Sequence, residues 1–140
     1  MATPRPVPSL SRMLDETIRQ LATEGTNTAA VTTLMPDGTP QTTPVWIDAD
    51  DDHILVNTEV HRQKYKNVTR DPRITVTIWD AANPWIYGEV RGKIVETVTG
   101  PEARAHIDAL SRKYTGHDYA NPIQSERVIL KVAPVRQWAR

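Results

Sequence analysis

Between Ser9 and Leu21 the apolar residues Leu10, Met13, Leu14, Ile18 and Leu21 recur at spacings of three and four, which predicts an amphipathic helix with Ser9 as its N-cap. The period then changes. Thr28–Met35 is rich in β-branched residues, Pro36-Asp37-Gly38 is a turn signal, and Gln41–Asp48 is strand-like again, so this stretch reads as a hairpin. Pro44 inside the second strand pushes it toward a sheet edge or a bulge. After the turn Asp50-Asp51-Asp52, His53–Thr58 is a short third strand. Polar, helix-compatible His61–Arg70 follows and stops at Asp71-Pro72, where proline disfavours continuation. Ile74, Val76 and Ile78 alternate with Thr75, Thr77 and Trp79, a strand with one apolar face. Trp85–Thr99 is long enough for one bent strand with Gly88 and Gly92 as bend points. Pro101 suits the first turn of another helix, which buries Ala103, Ile107, Leu110 and Tyr114 and ends at Gly116. Residues 117–125 form a loop, and Arg127–Val135 is the last strand.

The order is α-β-β-β-α-β-β-α-β. Strands mostly follow strands through short turns, so the expected fold is mainly β with peripheral helices (α+β): an antiparallel sheet closed, or nearly closed, into a barrel. A doubly wound nucleotide-binding fold needs strict strand–helix alternation and a glycine-rich turn, and neither is present. Residues 1–8 hold three of the eleven prolines and read as a flexible N-terminal arm, which leaves 9–140 as a single domain. A chain of 140 residues buries roughly 70% of its unfolded surface, enough for one core without disulfides.

Composition narrows the function classes. Seventeen basic and seventeen acidic residues give zero net charge, against the basic excess of a general nucleic-acid binder. No apolar run approaches the ~18 residues of a membrane span, and the N-terminus has no apolar signal core, so the expected setting is soluble and cytoplasmic. The absence of cysteine removes thiolate ligands and nucleophiles. His53, His61, His106 and His117 have no ligand spacing, so no metal site is expected. There is no G-x-S-x-G elbow and no Walker loop. Phenylalanine is absent beside four Trp and four Tyr, so every large aromatic carries a polar handle suited to a pocket or rim.

The densest candidate chemistry is HRQKYKNVTRDPR (61–73). Arg62, Lys64, Lys66 and Arg70 crowd a short helix directly after a strand, and cations at a helix N-terminus suit a phosphate or carboxylate. The competing reading is a solvated basic face. In QTTPVW (41–46) an edge strand with hydroxyls and a proline offers backbone groups to a planar ring, or is an ordinary edge. Trp79, Trp85 and Tyr87 bracket a turn as pocket, core or interface residues.

Taken in order, ILVNTEVHRQKYKNVTRDPRITVTIWD (54–80), WIYGEVRGKIVE (85–96), the hairpin VTTLMPDGTPQTTPVWID (31–48) and the late segment KYTGHDYANP…RVILKVAPVRQW (113–138) resemble the pyridoxamine-phosphate-oxidase-like superfamily. The resemblance implies a split β-barrel of the FMN-binding-protein-like, antiparallel kind, and a homodimer with the cofactor in a groove between subunits. Chains that oxidise pyridoxamine phosphate are longer, and the match is nearer the branch that uses the 8-hydroxy-5-deazaflavin coenzyme F-420. By that resemblance Lys64, helped by Arg62, Gln63 and Asn67, takes the cofactor phosphate. Thr43, Pro44, Val45, Asn57 and Thr58 line the ring or ribityl chain, and Trp85 approaches from the partner subunit. The implied activity is hydride transfer from reduced F-420 to a small conjugated acceptor. The alternatives are an FMN-binding oxidase or flavin reductase, and a non-catalytic flavin or deazaflavin carrier. No catalytic residue is assigned: Tyr65, Tyr87, Tyr114 and water are all chemically able to deliver the accompanying proton.

Overall fold

In the computed structural model, which describes residues 5–7 and 13–140, the chain folds as β1 (Arg5–Val7), α1 (Glu16–Thr23), β2 (Thr28–Leu34), β3 (Pro40–Val45), β4 (Asp48–Ala49), β5 (Ile54–Glu59), α2 (Gln63–Arg70), β6 (Arg73–Trp79), β7 (Tyr87–Val98), α3 (Pro101–Thr115) and β8 (Arg127–Ala139). Every strand pair is antiparallel, in the order β3-β2-β6-β7-β8-β5-β4, with β1 added along β8. The two ends of that order, β3 and β4, are joined by Trp46-Ile47 alone. A sheet whose opposite edges are two residues apart must curl back on itself, and since β3 and β4 do not pair the barrel stays split along that seam.

Alternation fills the barrel. Val31 on β2, Ile54 and Val56 on β5, Ile74, Val76 and Ile78 on β6, Val90 on β7 and Val128, Leu130 and Val132 on β8 share one core. α1 adds Ile18, Leu21 and Ala22, and the linker adds Ile47. α3 lies on the other side of β8, with Ala103, Ile107 and Leu110 buried as the spacing predicts but Tyr114 only half-buried, and Gly116 ends it in the left-handed region at φ 88°. The seam is braced by Lys113, whose Nζ donates to the carbonyls of Ala22 (2.7 Å) and Ile47 (2.8 Å).

Several elements differ from the sequence expectation, and the stretch expected as one strand over Gln41–Asp48 divides into β3 and β4. α1 begins at Glu16, because the Asp15 carboxylate caps it by accepting from the N–H groups of Thr17 (3.0 Å) and Ile18 (3.3 Å). Ser9 and Leu10 lie outside the described residues. Within the expected arm, Arg5–Val7 form β1, with Arg5 opposite Ala139 and Val7 opposite Gln137. β8 does not stop at Val135. It continues through Pro134 because the register with β7 skips Val135, and a bulge tolerates a residue without an N–H. Pro44 lies on β3 at the sheet edge, as its chemistry requires.

Candidate functional site

The end of β3, the 46–47 linker, β5, the start of α2, α3 and β8 converge on a cleft of about 430 Å³, within the range of small-molecule sites. One wall is apolar and aromatic: Pro44 and Val45 from β3, Ile107 and Leu110 from α3, and Trp46. The Trp46 ring stacks on Tyr114 (centroids 5.4 Å apart, planes at 8°) and meets Tyr119 edge-on at 6.2 Å. The Tyr114 hydroxyl donates to the Asn27 carbonyl (2.6 Å) and accepts from the Ile47 N–H (3.2 Å). Burial pushes that hydroxyl's pKa up, so its proton is committed to a backbone acceptor. Tyr65 packs against the core and Tyr87 lies under the Arg140 guanidinium.

A second part of the lining is cationic. β5 and β8 pair with Glu59 opposite Arg127 and Asn57 opposite Ile129, which places a carboxylate and a guanidinium side by side on the face toward α3. Both are buried. Glu59 Oε1 accepts from the N–H groups of Gln124 and Ser125, each at 2.8 Å, and Oε2 lies 3.2 Å from Arg62 Nη2 and 3.4 Å from Arg127 Nη1. Burial acts to raise the Glu59 pKa, but the N–H donors of Ser125 and Gln124 and the charges of Arg127 and Arg62 outweigh it and hold it below the ordinary range. Arg127 also sits 5.2 Å from the Tyr119 ring centroid, while its Nη1 makes no hydrogen bond. Lys64 completes the wall, its pKa lowered by burial and then by Arg62 and Arg127. Three cations face one carboxylate here, beside a helix N-terminus that no side chain caps. An anion entering the cleft relieves that repulsion and meets donors already in place.

Behind this wall a buried chain of hydrogen bonds fixes Arg127. Its Nε donates to Asn57 Oδ1 (2.9 Å), and Asn57 Nδ2 donates to the Ala103 carbonyl and to His106 Nδ1, both at 3.0 Å. His106 Nε2 then lies 3.0 Å from Asp48 Oδ2. Burial raises the Asp48 pKa, but the contacts from His106 and the Ala49 N–H bring it below the ordinary range.

Of the residues singled out from the sequence, the cleft gathers Pro44, Val45, Trp46, Asn57, Arg62, Lys64 and Tyr114. The others sit elsewhere in this chain. Asn67 is fully buried, donating to Thr33 Oγ1 (3.0 Å) and accepting from Gln63 Nε2 (2.8 Å), so the pair ties α2 to the β2–β3 hairpin. Thr58 points into the core, and Thr43 keeps a buried hydroxyl without a hydrogen bond. Trp85 is 60% exposed in the turn between β6 and β7. Sequence reasoning missed Arg127, read as an ordinary strand start, and Tyr119 and Asn121, read as plain loop. The β5–β8 register brings Arg127 to the basic helix, and Tyr119 joins it through the Arg127 guanidinium.

Comparisons with known proteins agree with this architecture. The family model described as pyridoxamine 5'-phosphate oxidase matches residues 14–139. A solved structure named F420 Reductase is 28% identical, with a TM-score of 0.75, over 89% of this chain and 98% of that one. A conserved hypothetical protein from Mycobacterium tuberculosis is 23% identical (TM-score 0.64; 95% of this chain, 90% of that one). General Stress Protein 26 from Bacillus anthracis is 19% identical (TM-score 0.60; 85% and 87%). The last two likenesses concern the fold alone. No curated protein sequence matches the chain. Among the described residues, no helix is long and apolar enough to cross a membrane.

Proposed function

Because this chain belongs to the pyridoxamine 5'-phosphate oxidase family, we propose that it is an oxidoreductase that binds coenzyme F-420 in the cleft and reduces a small conjugated acceptor. The observation that carries this reading is the convergence of Arg62, Lys64 and Arg127 on the same cleft as the stacked Trp46–Tyr114 pair. A planar ring joined to an anionic tail matches both halves of that cleft, and the likeness to the F420 Reductase structure favours the deazaflavin over FMN. When bound, the reduced coenzyme supplies a hydride, which accounts for a site without a nucleophile. The chain supplies position and charge. Lys64, Arg62 and Arg127 hold the anionic groups, Pro44, Val45 and Asn57 border the ring and ribityl region, and Gln63 and Asn67 act indirectly by fixing α2. The working unit in this reading is a homodimer whose second subunit brings Trp85 to the groove.

Titration of the cofactor-free protein with F-420 and with FMN, side by side, tests the assignment. F-420 is expected to bind more tightly, and its reduced form to be consumed with a conjugated acceptor. Lys64→Ala should weaken F-420 binding by about 10- to 150-fold, the size of one charge-assisted contact, and exposed Lys66 should matter less. Tighter binding of FMN, with hydride transfer from reduced FMN only, overturns the choice of cofactor. Negligible losses from both lysine changes overturn the anion site.

A further inference from the structure

We propose that His106 is a proton-sensitive positioning residue for Arg127, acting from outside the cleft. The inference rests on the reading of the cleft as an anion site. His106 does not line the cleft. It borders a separate cavity of about 490 Å³ on the outer side of the sheet, through which a solvent proton reaches the ring.

The hydrogen bonds behind the cationic wall fit one protonation state. Asn57 Nδ2 has two hydrogens, one for the Ala103 carbonyl and one for His106 Nδ1, while its Oδ1 receives Arg127 Nε–H. His106 Nδ1 must therefore accept, and Nε2–H donates to Asp48. A proton taken up at Nδ1 sets two donors face to face across 3.0 Å. Rotating the Asn57 amide answers His106 with an oxygen, but then sets an N–H₂ against Arg127 Nε–H and an oxygen against the Ala103 carbonyl. Rotation takes the Nε acceptor from the guanidinium and leaves it with Glu59 and Tyr119, and without rotation the repulsion at His106 acts on the same Asn57 side chain that holds Arg127. Asp48 and Glu59 stay ionised across the same interval, each held below the ordinary carboxyl range by its partners.

The other charged groups around His106 do not replace this link. Asp50, Glu102, Arg112 and Lys131 border the same outer cavity, and Lys113 lies near enough to Asp48 to act on it. None of them is hydrogen-bonded to Asn57. His61 is a second imidazole at the far end of the network, with Nδ1 at 2.6 Å from Ser125 Oγ and 4.0 Å from Glu59. The test must separate the two histidines.

Sulfate is the probe, because it carries the tetrahedral oxyanion of a phosphate and does not titrate in this range. Its affinity and the Arg127 Nε–H nuclear magnetic resonance signal are followed from about pH 8 to about pH 5. In the wild type, sulfate binding is expected to weaken about three- to tenfold on acidification, with the Arg127 signal moving in parallel, as donor preorganisation is lost. His106→Asn keeps an acceptor toward Asn57 that cannot take a proton, and should bind as the wild type does at high pH with no slope. His106→Leu should bind weakly at both ends. A His106→Asn protein with the wild-type slope, or an Arg127 signal indifferent to pH, overturns the proposal. If sulfate does not bind at any pH while the Arg127 signal still shifts in the wild type and not in His106→Asn, the relay stands and the anion reading fails instead.

Discussion

Glu59 sets the charge balance of the cleft, since its two oxygens hold Arg62, Arg127 and the 124–125 backbone at once. Glu59→Gln leaves two guanidinium groups without their counter-charge and should cost about 3–5 kcal/mol, read by urea denaturation at neutral pH. The sign of the pH effect follows from the lowered folded-state pKa. The stabilisation from ionised Glu59 is fully present above the ordinary glutamate value, roughly pH 4.3, and is lost as the pH falls toward the folded value. The variant should lose that part of the acid dependence, and an unchanged acid profile would contradict the assignment. At this scale the sequence was legible only where neighbours in space are neighbours in the chain. Arg62 and Lys64 sit two residues apart and announce themselves as a basic cluster, whereas Arg127 joins them only through strand register. Asn67 carries the right chemistry for a ligand, yet its amide is spent on Thr33 and Gln63.

Elements were legible in kind and less so in extent, because tertiary contacts decide where they stop. The sequence pattern ends the last strand at Val135, but the paired bulges of β7 and β8 carry β8 on to Ala139. Gly88 and Gly92 were both read as bend points, and they carry different constraints. A Cβ on Gly92 falls on the Ala133 backbone carbonyl across the β7–β8 ladder, where neither strand can yield. A Cβ on Gly88 comes 2.7 Å from Ile18 Cγ1, a side-chain atom of α1 that has rotamers to exchange. Gly92→Ala should therefore cost more than the about 1–3 kcal/mol of ordinary overpacking, and Gly88→Ala should fall within it. Thermal melts of the two variants check this, and an equal loss would mean that the ladder is as pliable as the helix packing.

For the whole molecule, the curled sheet leaves Trp85 and Ile86 outside, 60% and 41% exposed. They are presented by a turn fixed by Asp80, which accepts from the N–H groups of Ala82 (2.8 Å) and Asn83 (3.0 Å). Such an ordered apolar tip suits a self-complementary contact. Light scattering should give twice the 15.8 kDa chain mass, and Trp85→Ala should weaken the dimer by about 2 kcal/mol or more. A monomer mass at working concentrations removes the shared groove. The position of the last strand has a consequence for how the barrel comes into being. β8 lies at the junction of β1, β5 and β7, which without it share no ladder. During synthesis β2, β3, β6 and β7 can join as they emerge, but β5 waits for residues 127–132 and β1 for residues 137–139. Closure of so many distant pairings is slow, so the nascent chain holds an unfinished sheet with open edges until β8 has emerged. The hazard of aggregation is then greatest while residues 127–139 are still missing from the sheet, and chaperone demand should track β8 rather than any earlier segment.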